Sequence, residues 1–346
     1  MKAGVFLGPG EVEVREWPEP VAGPGQVKVK IAYTGICGSD VESLHHRMGF
    51  QRVGLNFDGS GPARTEPVVE GHEATGTIVA LGPDLKGDWK VGQRLGLSFR
   101  AACGVCYYCR TKREQFCEHD SLSMSSFAEY AVLPEGALYA LPDDIPFELA
   151  ALVEPLSIAV HAVDRAELQN GQTLVVSGAG TIGLTTLAVA LNAGACKVLV
   201  LEPKAHKREI ALNMGADMAV DPLTEDVGAA VAKLTGGRGF DKVIEASGNL
   251  GAATSVIDLA DKGGTIVWVG VYPCNATIAV NPFKLYLKEL TIRSNIGAPY
   301  AFERTMNLLP KLNVGSLVTN IYSLDDIAEA FINHEKGDSI KTLIKP

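Results

Sequence analysis

A chain of 346 residues is long enough for two ordinary domains, each with its own core. Its hydrophobic content of 47% and charged content of 21% are typical of a soluble globular protein. The 31 basic and 40 acidic residues give a net charge of −9, which argues against a nucleic-acid-binding surface. Gly, Pro and Glu interrupt the stretch MKAGVFLGPGEVEVREW too early for a signal peptide, so we expect a cytoplasmic protein whose thiols stay reduced.

Residues 1 to 150 contain short runs with strand character, separated by Gly and Pro. The clearest runs are QVKVKIAY, ATGTIVALG and FAEYAVLP. Short strands broken by turn residues predict a compact, barrel-like, mostly-β domain over this part of the chain.

Three short motifs in and just after this domain carry groups that bind metals. GICGSD supplies Cys37 and Ser39, GHEATG supplies His72 and Glu73, and ALVEPLSIAVHA supplies Glu154. One thiolate, one imidazole and two carboxylates form an open, mixed set that suits a catalytic zinc with a position left for water or substrate. The Ser39 hydroxyl, two residues after Cys37, can lie beside the reacting oxygen and carry its proton away.

Four cysteines crowd into the stretch CGVCYYCRTKREQFC, which covers 103–117. In a reducing compartment, clustered cysteines are metal ligands more often than disulfides. A thioredoxin-type site needs a single C-x-x-C that opens a helix after a strand. A bacterial ferredoxin run closes its last gap after three residues and continues with proline, whereas Glu118 follows here. We therefore favour a structural zinc over an iron–sulfur cluster, with disulfides third. The expected ligands are Cys103, Cys106, Cys109 and Cys117.

From about residue 151 to 285, strands alternate with helical stretches, which predicts a parallel α/β domain. The apolar run after Thr173 is long enough for a membrane span, but its glycines and strand–turn–helix rhythm favour a G-x-G-x-x-G fingerprint. Such a turn lets backbone amides approach a pyrophosphate at a helix N-terminus. The expected dinucleotide-binding residues of the turn are Gly178, Gly180, Thr181, Ile182 and Gly183.

A second strand ends at Glu202, about 20 residues after the turn, as the fingerprint requires. A carboxylate there accepts the ribose hydroxyls of NAD and repels the 2′-phosphate of NADP. Lys207 and Arg208 lie close enough in sequence to leave some NADP tolerance open.

These motifs occur in the order found in zinc-dependent medium-chain dehydrogenases/reductases of the alcohol dehydrogenase superfamily, which the whole chain resembles. Glu73 and the V-E-P motif are most similar to those of sorbitol, other polyol and butanediol dehydrogenases. The resemblance implies a GroES-like mostly-β catalytic domain over 1–150 and a Rossmann-type doubly wound parallel sheet domain over 151–285. It also implies that the segment 286–346 rejoins the catalytic domain.

The resemblance also assigns roles to single residues. Cys37, His72 and Glu73 match the catalytic zinc ligands, and Glu154 matches a residue that binds zinc directly or through its water. Ser39 matches the first hydroxyl of the proton relay. We therefore expect two zinc ions per chain, one catalytic and one structural, together with NAD.

The expected reaction is hydride transfer between NAD and a polyol, a sugar alcohol or another secondary alcohol. An aldose (glucose-type) or butanediol dehydrogenase of the same superfamily is the nearest alternative. A non-enzymatic dinucleotide-binding structural or regulatory protein would have no need of the catalytic residues described above. We expect a small-molecule substrate, no nucleic-acid or membrane partner, and a homodimer or homotetramer.

The segment 45–70, which contains HHRMGFQRVGLNFDGSGPARTEP, reads as a loop inserted between the first two motifs. In the family that it resembles, this region borders the substrate cleft, so it either sets specificity or forms a plain surface loop. Its Arg47, Arg52 and Arg64 leave a phosphorylated substrate open. His45 and His46 are candidates for a proton path or for ordinary surface histidines.

Overall fold

The computed structural model describes residues 1–45, 66–122, 125–273 and 275–346. His46, Arg47, Arg52, Arg64 and most of the 45–70 segment therefore lie outside the described residues. His45 lies within them and pairs with Glu335 on the surface, with 2.8 Å between Nε2 and Oε1. Throughout the described ranges, no helix has both the length and the apolar character needed to cross a membrane.

The first 150 residues contain β1 (Lys2–Gly8), β2 (Glu11–Glu16), β3 (Gln26–Gly35), α1 (Gly38–Leu44), β4 (Val68–Val69), β5 (Glu73–Leu81), β6 (Arg94–Leu97), β7 (Arg100–Ala101), α2 (Tyr107–Arg110), β8 (Ser121–Leu122), β9 (Tyr130–Pro134), β10 (Leu138–Ala140) and α3 (Phe147–Ala150). The middle of the chain contains α4 (Val153–Ala166), β11 (Thr173–Ser177), α5 (Thr181–Asn192), β12 (Lys197–Leu201), α6 (Ala205–Met214), β13 (Met218–Val220), α7 (Val227–Thr235), β14 (Phe240–Glu245), α8 (Leu250–Ser255), β15 (Ala260–Trp268), α9 (Pro282–Lys288) and β16 (Thr291–Ser294). The last part contains α10 (Phe302–Leu308), β17 (Val318–Ser323), α11 (Ile327–Glu335) and β18 (Lys341–Lys345). Short 3-10 helices occur at Glu114–Phe116, Glu135–Ala137, Val256–Leu259, Leu309–Lys311, Gly315–Leu317 and Leu324–Asp326.

The first compact unit consists of Met1–Glu154, Phe302–Pro310 and Gly315–Pro346. Its larger sheet has the order β10-β6-β5-β3-β18-β17, with β9 also paired to β3, and a smaller sheet has the order β2-β1-β4. In β3, buried and less buried side chains mostly alternate, as expected for a strand with one face on a core. Val27 and Val29 of β3 pack there with Ile78 and Leu95.

The second compact unit consists of Pro155–Ala301 and Lys311–Val314. Its six strands are all parallel, in the order β13-β12-β11-β14-β15-β16. That order is the doubly wound arrangement of a dinucleotide-binding domain, with the reversal of strand order between β11 and β14. The strands are buried over most of their length, which explains their nearly continuous apolar runs. The predicted fold class, a doubly wound sheet plus a mostly-β domain, is confirmed.

The division of the chain differs in detail from the expected boundaries at 150 and 285. The first unit extends to Glu154, and the second extends to Ala301. The reason for the later second boundary is β16, which pairs in parallel with β15, so that Ile266 lies opposite Ile292. The segment 286–301 is therefore part of the parallel α/β unit. The chain returns to the first unit at Phe302.

Candidate active site

Strand pairing brings the first two motifs together. Gly35 at the end of β3 lies opposite Glu73 at the start of β5. Cys37 follows β3 and precedes α1, and His72 directly precedes β5. One ligand atom from each of Cys37, His72 and Glu73 lies within 4.8 Å of the other two. Cys37 and His72 are 35 positions apart in the sequence, and they converge because the end of β3 lies beside the start of β5.

Asp40, in the first turn of α1, orients two of these residues. One carboxylate oxygen of this buried side chain accepts the Cys37 N–H at 2.8 Å. The other lies 3.2 Å from His72 Nδ1, in an ionic contact that is poorly aligned for a hydrogen bond. Although burial opposes a charge on His72, the nearby carboxylate raises the pKa of its imidazole well above the usual range. The contact at Nδ1 leaves Nε2 as the metal-ligating atom, which is the common arrangement at metal sites.

The three converging groups fit a zinc ion. Zinc binds thiolate, imidazole and carboxylate ligands at about 2.0–2.3 Å, so ligand atoms that share one ion lie roughly 3–4 Å apart. A spread within 4.8 Å needs only small side-chain adjustments to reach that geometry. Three protein ligands also leave a fourth position open. Ser39 lies half-buried in the first turn of α1, two residues beyond the thiol.

Glu154, the fourth expected ligand, lies nearby but outside that tight group. It stands in the first turn of α4 and is buried. Burial raises the pKa of its carboxyl to about 7; the charge of His72 opposes this increase and the charge of Glu73 adds to it. In the described part of the chain, the set of atoms within 4.8 Å contains three residues and does not include Glu154. The charges of the other site residues thus affect the Glu154 carboxyl, although its oxygen atoms lie outside the cluster of three ligand atoms.

Lys341, at the start of β18, was not predicted as a site residue. Its ammonium group is fully buried and lies 2.5 Å from Glu73 Oε2 and 2.9 Å from the Ile36 carbonyl oxygen. The pairing of β18 with β3 brings it there, since Leu343 lies opposite Gly35. Gly35 has to lack a side chain, because a Cβ atom would overlap the Glu73 carboxylate and lie 3.2 Å from Lys341 Cδ. Lys341 therefore occupies one oxygen of Glu73 and leaves the other for a metal.

The four cysteines of the 103–117 lobe form a second cluster. Their sulfur atoms lie within 4.8 Å of one another. The shortest separations are 3.5 Å for Cys106–Cys109, 3.9 Å for Cys103–Cys109 and 4.0 Å for Cys106–Cys117. A disulfide would need about 2.05 Å, so all four are free thiols.

These sulfur positions fit a single tetrahedral metal ion. Four thiolates bound to zinc at about 2.3 Å lie roughly 3.8 Å apart, close to the observed separations. Backbone N–H groups point at the sulfurs, from Cys103 to Cys117 at 3.3 Å and from Cys106 to Cys103 at 3.4 Å. Backbone N–H donors hold the pKa of the Cys106 thiol down, to about 6, whereas burial raises that of Cys109 to about 12. A bound cation deprotonates a coordinating thiol outright, so both fit as ligands.

We expect Cys106→Ser to remove the lobe metal. Zinc content should fall from two ions to one per chain, and the free energy of unfolding should fall by about 3–5 kcal/mol, because the lobe loses the ion that holds it. Metal analysis and denaturant unfolding measure both effects. Cys196→Ser is the matched control, since Cys196 is an exposed free thiol outside the lobe. A Cys106→Ser protein that keeps two zinc ions would contradict the assignment.

The glycine-rich turn joins β11 to α5 in the second unit. Gly178 has φ of +94°, which favours glycine, and its N–H donates to the Leu201 carbonyl oxygen at 2.7 Å. A Cβ atom on Gly183 would overlap the Gly178 carbonyl, so the helix can begin this close to the turn only with glycine there. Gly180, Thr181 and Ile182 complete the turn and the first residues of α5. Backbone N–H groups at such a helix start can bind a pyrophosphate.

Glu202 lies beside this turn because β12 is the parallel neighbour of β11. Its carboxylate is buried and accepts the N–H of Ala179 at 2.8 Å and of Lys204 at 2.9 Å. A carboxylate has about four acceptor positions, which is more than these two bonds use. Lys207, in α6, is also buried.

Sequence reasoning missed two site residues. Asp40 stands in the C-G-S-D motif itself, so an acidic residue one helical turn after the cysteine could have been proposed as its partner. Lys341 gave no such signal, because a lysine at a strand end is usually an exposed residue.

Two protein families match the chain. The zinc-binding dehydrogenase family matches residues 181–311, and the family described as alcohol dehydrogenase GroES-like domain matches residues 23–143. D-arabitol-phosphate dehydrogenase of Enterococcus avium is 33% identical and covers 94% of this chain and 91% of its own length. Sorbitol dehydrogenase of Halalkalibacterium halodurans is 33% identical and covers 98% of this chain and 97% of its own.

Solved structures share the whole fold. The crystal structure of 2R,3R-butanediol dehydrogenase from Bacillus subtilis has a TM-score of 0.87 and 28% sequence identity, and covers 100% of this chain and 99% of that one. These matches extend over nearly every residue. They agree with the two clusters of potential metal ligands and with the dinucleotide turn. The chain belongs to the zinc-dependent alcohol dehydrogenase superfamily of medium-chain dehydrogenases/reductases, and is an enzyme of that superfamily that uses zinc and a nicotinamide dinucleotide.

Proposed function

We propose that this enzyme oxidises a secondary hydroxyl group of a polyol or sugar alcohol, with NAD as the hydride acceptor. The observation that carries the proposal is the convergence of Cys37, His72 and Glu73 within 4.8 Å beside the buried carboxyl of Glu154. The substrate class is supported by relatives named for sorbitol and arabitol phosphate, which match over nearly the whole chain.

The chain's own residues divide the work as follows. Cys37, His72 and Glu73 would hold the catalytic zinc, which when bound would polarise the substrate hydroxyl and lower its pKa. Ser39 relays the hydroxyl proton, accepting it at Oγ while passing its own proton on towards solvent, and Glu154 supplies a carboxylate close to the reacting oxygen. The turn at Gly178–Gly183 would bind the dinucleotide, which would supply the acceptor for the hydride on the carbon that carries the reacting hydroxyl.

Asp40 and Lys341 support the ligands without touching the substrate. The Asp40 carboxylate fixes the His72 ring, so the same imidazole nitrogen always faces the metal. The Lys341 ammonium donates to one oxygen of Glu73 and so fixes the orientation of that carboxylate.

A substrate screen tests the proposal. Sorbitol, arabitol, arabitol phosphate, 2,3-butanediol, glucose and threonine are each offered with NAD and with NADP, and the absorbance of the reduced nicotinamide is followed. We expect the highest kcat/KM with a polyol or its phosphate and NAD. A preference for glucose, butanediol or threonine would overturn the substrate assignment. A protein that binds the dinucleotide and oxidises none of them would favour the non-enzymatic alternative.

Cofactor preference depends on Glu202 in this proposal. Glu202→Ala should reduce the preference for NAD over NADP by about tenfold to a hundredfold, because a charged acceptor for the ribose hydroxyls is lost and its repulsion of a 2′-phosphate ends. The ratio of kcat/KM for the two cofactors measures the change. Glu209→Ala, an exposed residue of the neighbouring helix, should leave the ratio unchanged. A wild-type enzyme that uses both cofactors equally would contradict the role of Glu202.

We also propose that the enzyme is a homodimer or homotetramer in the cytoplasm and that its first unit is the catalytic domain. Free thiols at all six cysteines of the described residues suit a reducing compartment. Light scattering on the purified protein would measure its mass in solution, and a monomer would contradict the oligomer.

A further inference from the structure

We propose that the buried carboxylate of Glu245, acting through Tyr272, positions the backbone that receives the nicotinamide half of the dinucleotide. This inference rests on the dinucleotide site proposed above. It assigns positioning roles to two residues that lie outside the glycine-rich turn and the ribose-binding acid.

Glu245 ends β14 and is fully buried, yet its carboxylate is surrounded by hydrogen-bond donors from two loops. Oε1 accepts the N–H of Ser247 at 2.7 Å and also the Ser247 hydroxyl. Oε2 accepts the Tyr272 hydroxyl and, at 3.4 Å, the N–H of Gly248. Ser247 and Gly248 follow β14, whereas Tyr272 follows β15. A single carboxylate therefore ties together the loops at the ends of two neighbouring strands.

The two loops are packed too closely to move independently. A Cβ atom on Gly270 would lie 2.7 Å from Glu245 Oε2, and one on Gly248 would lie 2.9 Å from the Val271 carbonyl oxygen. The N–H groups of Val269 and Gly270 both donate to the Glu245 carbonyl oxygen, at 2.8 and 3.0 Å. The loop after β15 is thus held against β14 by backbone hydrogen bonds, and the Tyr272 hydroxyl adds a side-chain hydrogen bond to them.

The loop that follows β14 also contacts the dinucleotide turn. A Cβ atom on Gly178, the first glycine of the turn, would lie 3.0 Å from the backbone and Cβ of Ser247. Ala246, the residue after β14, donates its N–H to the carbonyl oxygen of Ser177 at the end of β11, at 2.8 Å. Ser247, which the Glu245 carboxylate binds, therefore connects that carboxylate to the turn. This contact lies at the position where the strand order reverses.

The topology indicates which half of the cofactor is affected. A doubly wound sheet binds a dinucleotide with two mononucleotide halves. Glu202 follows β12, which assigns the adenosine ribose to the β11–β13 half. The β14–β16 half, which contains Glu245 and Tyr272, is left for the nicotinamide.

The test compares binding of NADH and ADP-ribose by wild type and by Tyr272→Phe. Titration of NADH fluorescence and displacement by ADP-ribose give both dissociation constants without turnover. We expect Tyr272→Phe to raise the dissociation constant of NADH about tenfold, because the loop proposed to receive the nicotinamide loses its hydrogen bond to a charged acceptor. The dissociation constant of ADP-ribose should stay within about twofold of the wild-type value. Tyr286→Phe is the matched control, because Tyr286 is 79% exposed in α9 of the same unit.

A second variant keeps the test decisive if Tyr272→Phe fails to fold. Glu245→Gln keeps the side-chain shape but replaces one acceptor oxygen by an NH2 group, so it should weaken NADH selectively as well. Unchanged NADH binding in the folded variants would overturn the proposal. Equal weakening of NADH and ADP-ribose would also overturn it, since it would show a general effect on the fold. A wild-type protein that binds neither molecule would overturn the proposed function itself.

Discussion

Replacing His72 by alanine should remove the catalytic metal and abolish turnover. Two ligands, Cys37 and Glu73, would remain, and one of the Glu73 oxygens is already held by Lys341. Zinc content should fall from two ions to one per chain, and kcat/KM should fall about a thousandfold or more, because several kcal/mol of stabilisation of the developing charge is lost. Metal analysis and initial rates on the best substrate measure both effects.

The control for this change is His119→Ala, because the His119 side chain is exposed. It should keep two zinc ions and full activity. A His72→Ala enzyme that retains wild-type activity would exclude the zinc mechanism.

Glu154→Gln separates metal binding from the chemical step. Because Glu154 lies beside the cluster without joining it, the variant should keep both zinc ions while turnover decreases. Metal analysis alongside kcat tests this pair of outcomes. Normal turnover would reduce Glu154 to a packing role and leave the other ligands untouched.

Lys341→Met should be among the most destabilising single changes in the first unit. The substitution leaves one oxygen of the buried Glu73 carboxylate without its ammonium partner, and breaking one partner of a buried ion pair costs about 3–5 kcal/mol. Denaturant unfolding measures the change. Lys345→Met, at the exposed end of the same strand, is the matched control and should stay within about 1 kcal/mol of wild type.

A double variant tests the reason for that loss. In protein stripped of the catalytic zinc, adding Glu73→Gln to Lys341→Met removes the unpaired charge without loss of a metal ligand, so the double variant should be more stable than Lys341→Met alone. If the two losses simply added, the ion pair would not be what connects the residues.

The sequence predicted those parts of the site that depend on local spacing. The four cysteines of the lobe lie within 15 residues, and the glycine turn lies between a strand and a helix that follow one another, so each motif contains its own geometry. The catalytic ligands were predicted because each belongs to a recognisable motif. Their proximity depends on the pairing of β3 with β5, which a single sequence does not specify.

The parts that sequence reasoning missed depend on distant contacts. Lys341 and Glu73 are 268 positions apart, and only the insertion of β18 beside β3 makes them partners. Likewise, β16 is a four-residue segment whose membership of the parallel sheet depends on the free edge of β15. Neither pairing has a local signature, so sequence reasoning missed the lysine and did not assign β16 to the parallel sheet.

The place of β18 has a consequence for the order in which the protein matures. The lobe closes over 14 residues, so it can bind its metal soon after this stretch leaves the ribosome. The ion pair beside the catalytic ligands needs Lys341 and a contact across 268 positions. During synthesis, the structural metal would therefore be acquired early, whereas the catalytic centre would remain incomplete until β18 has been made and has paired with β3. This order delays any hydride-transfer chemistry until that long-range pairing has formed.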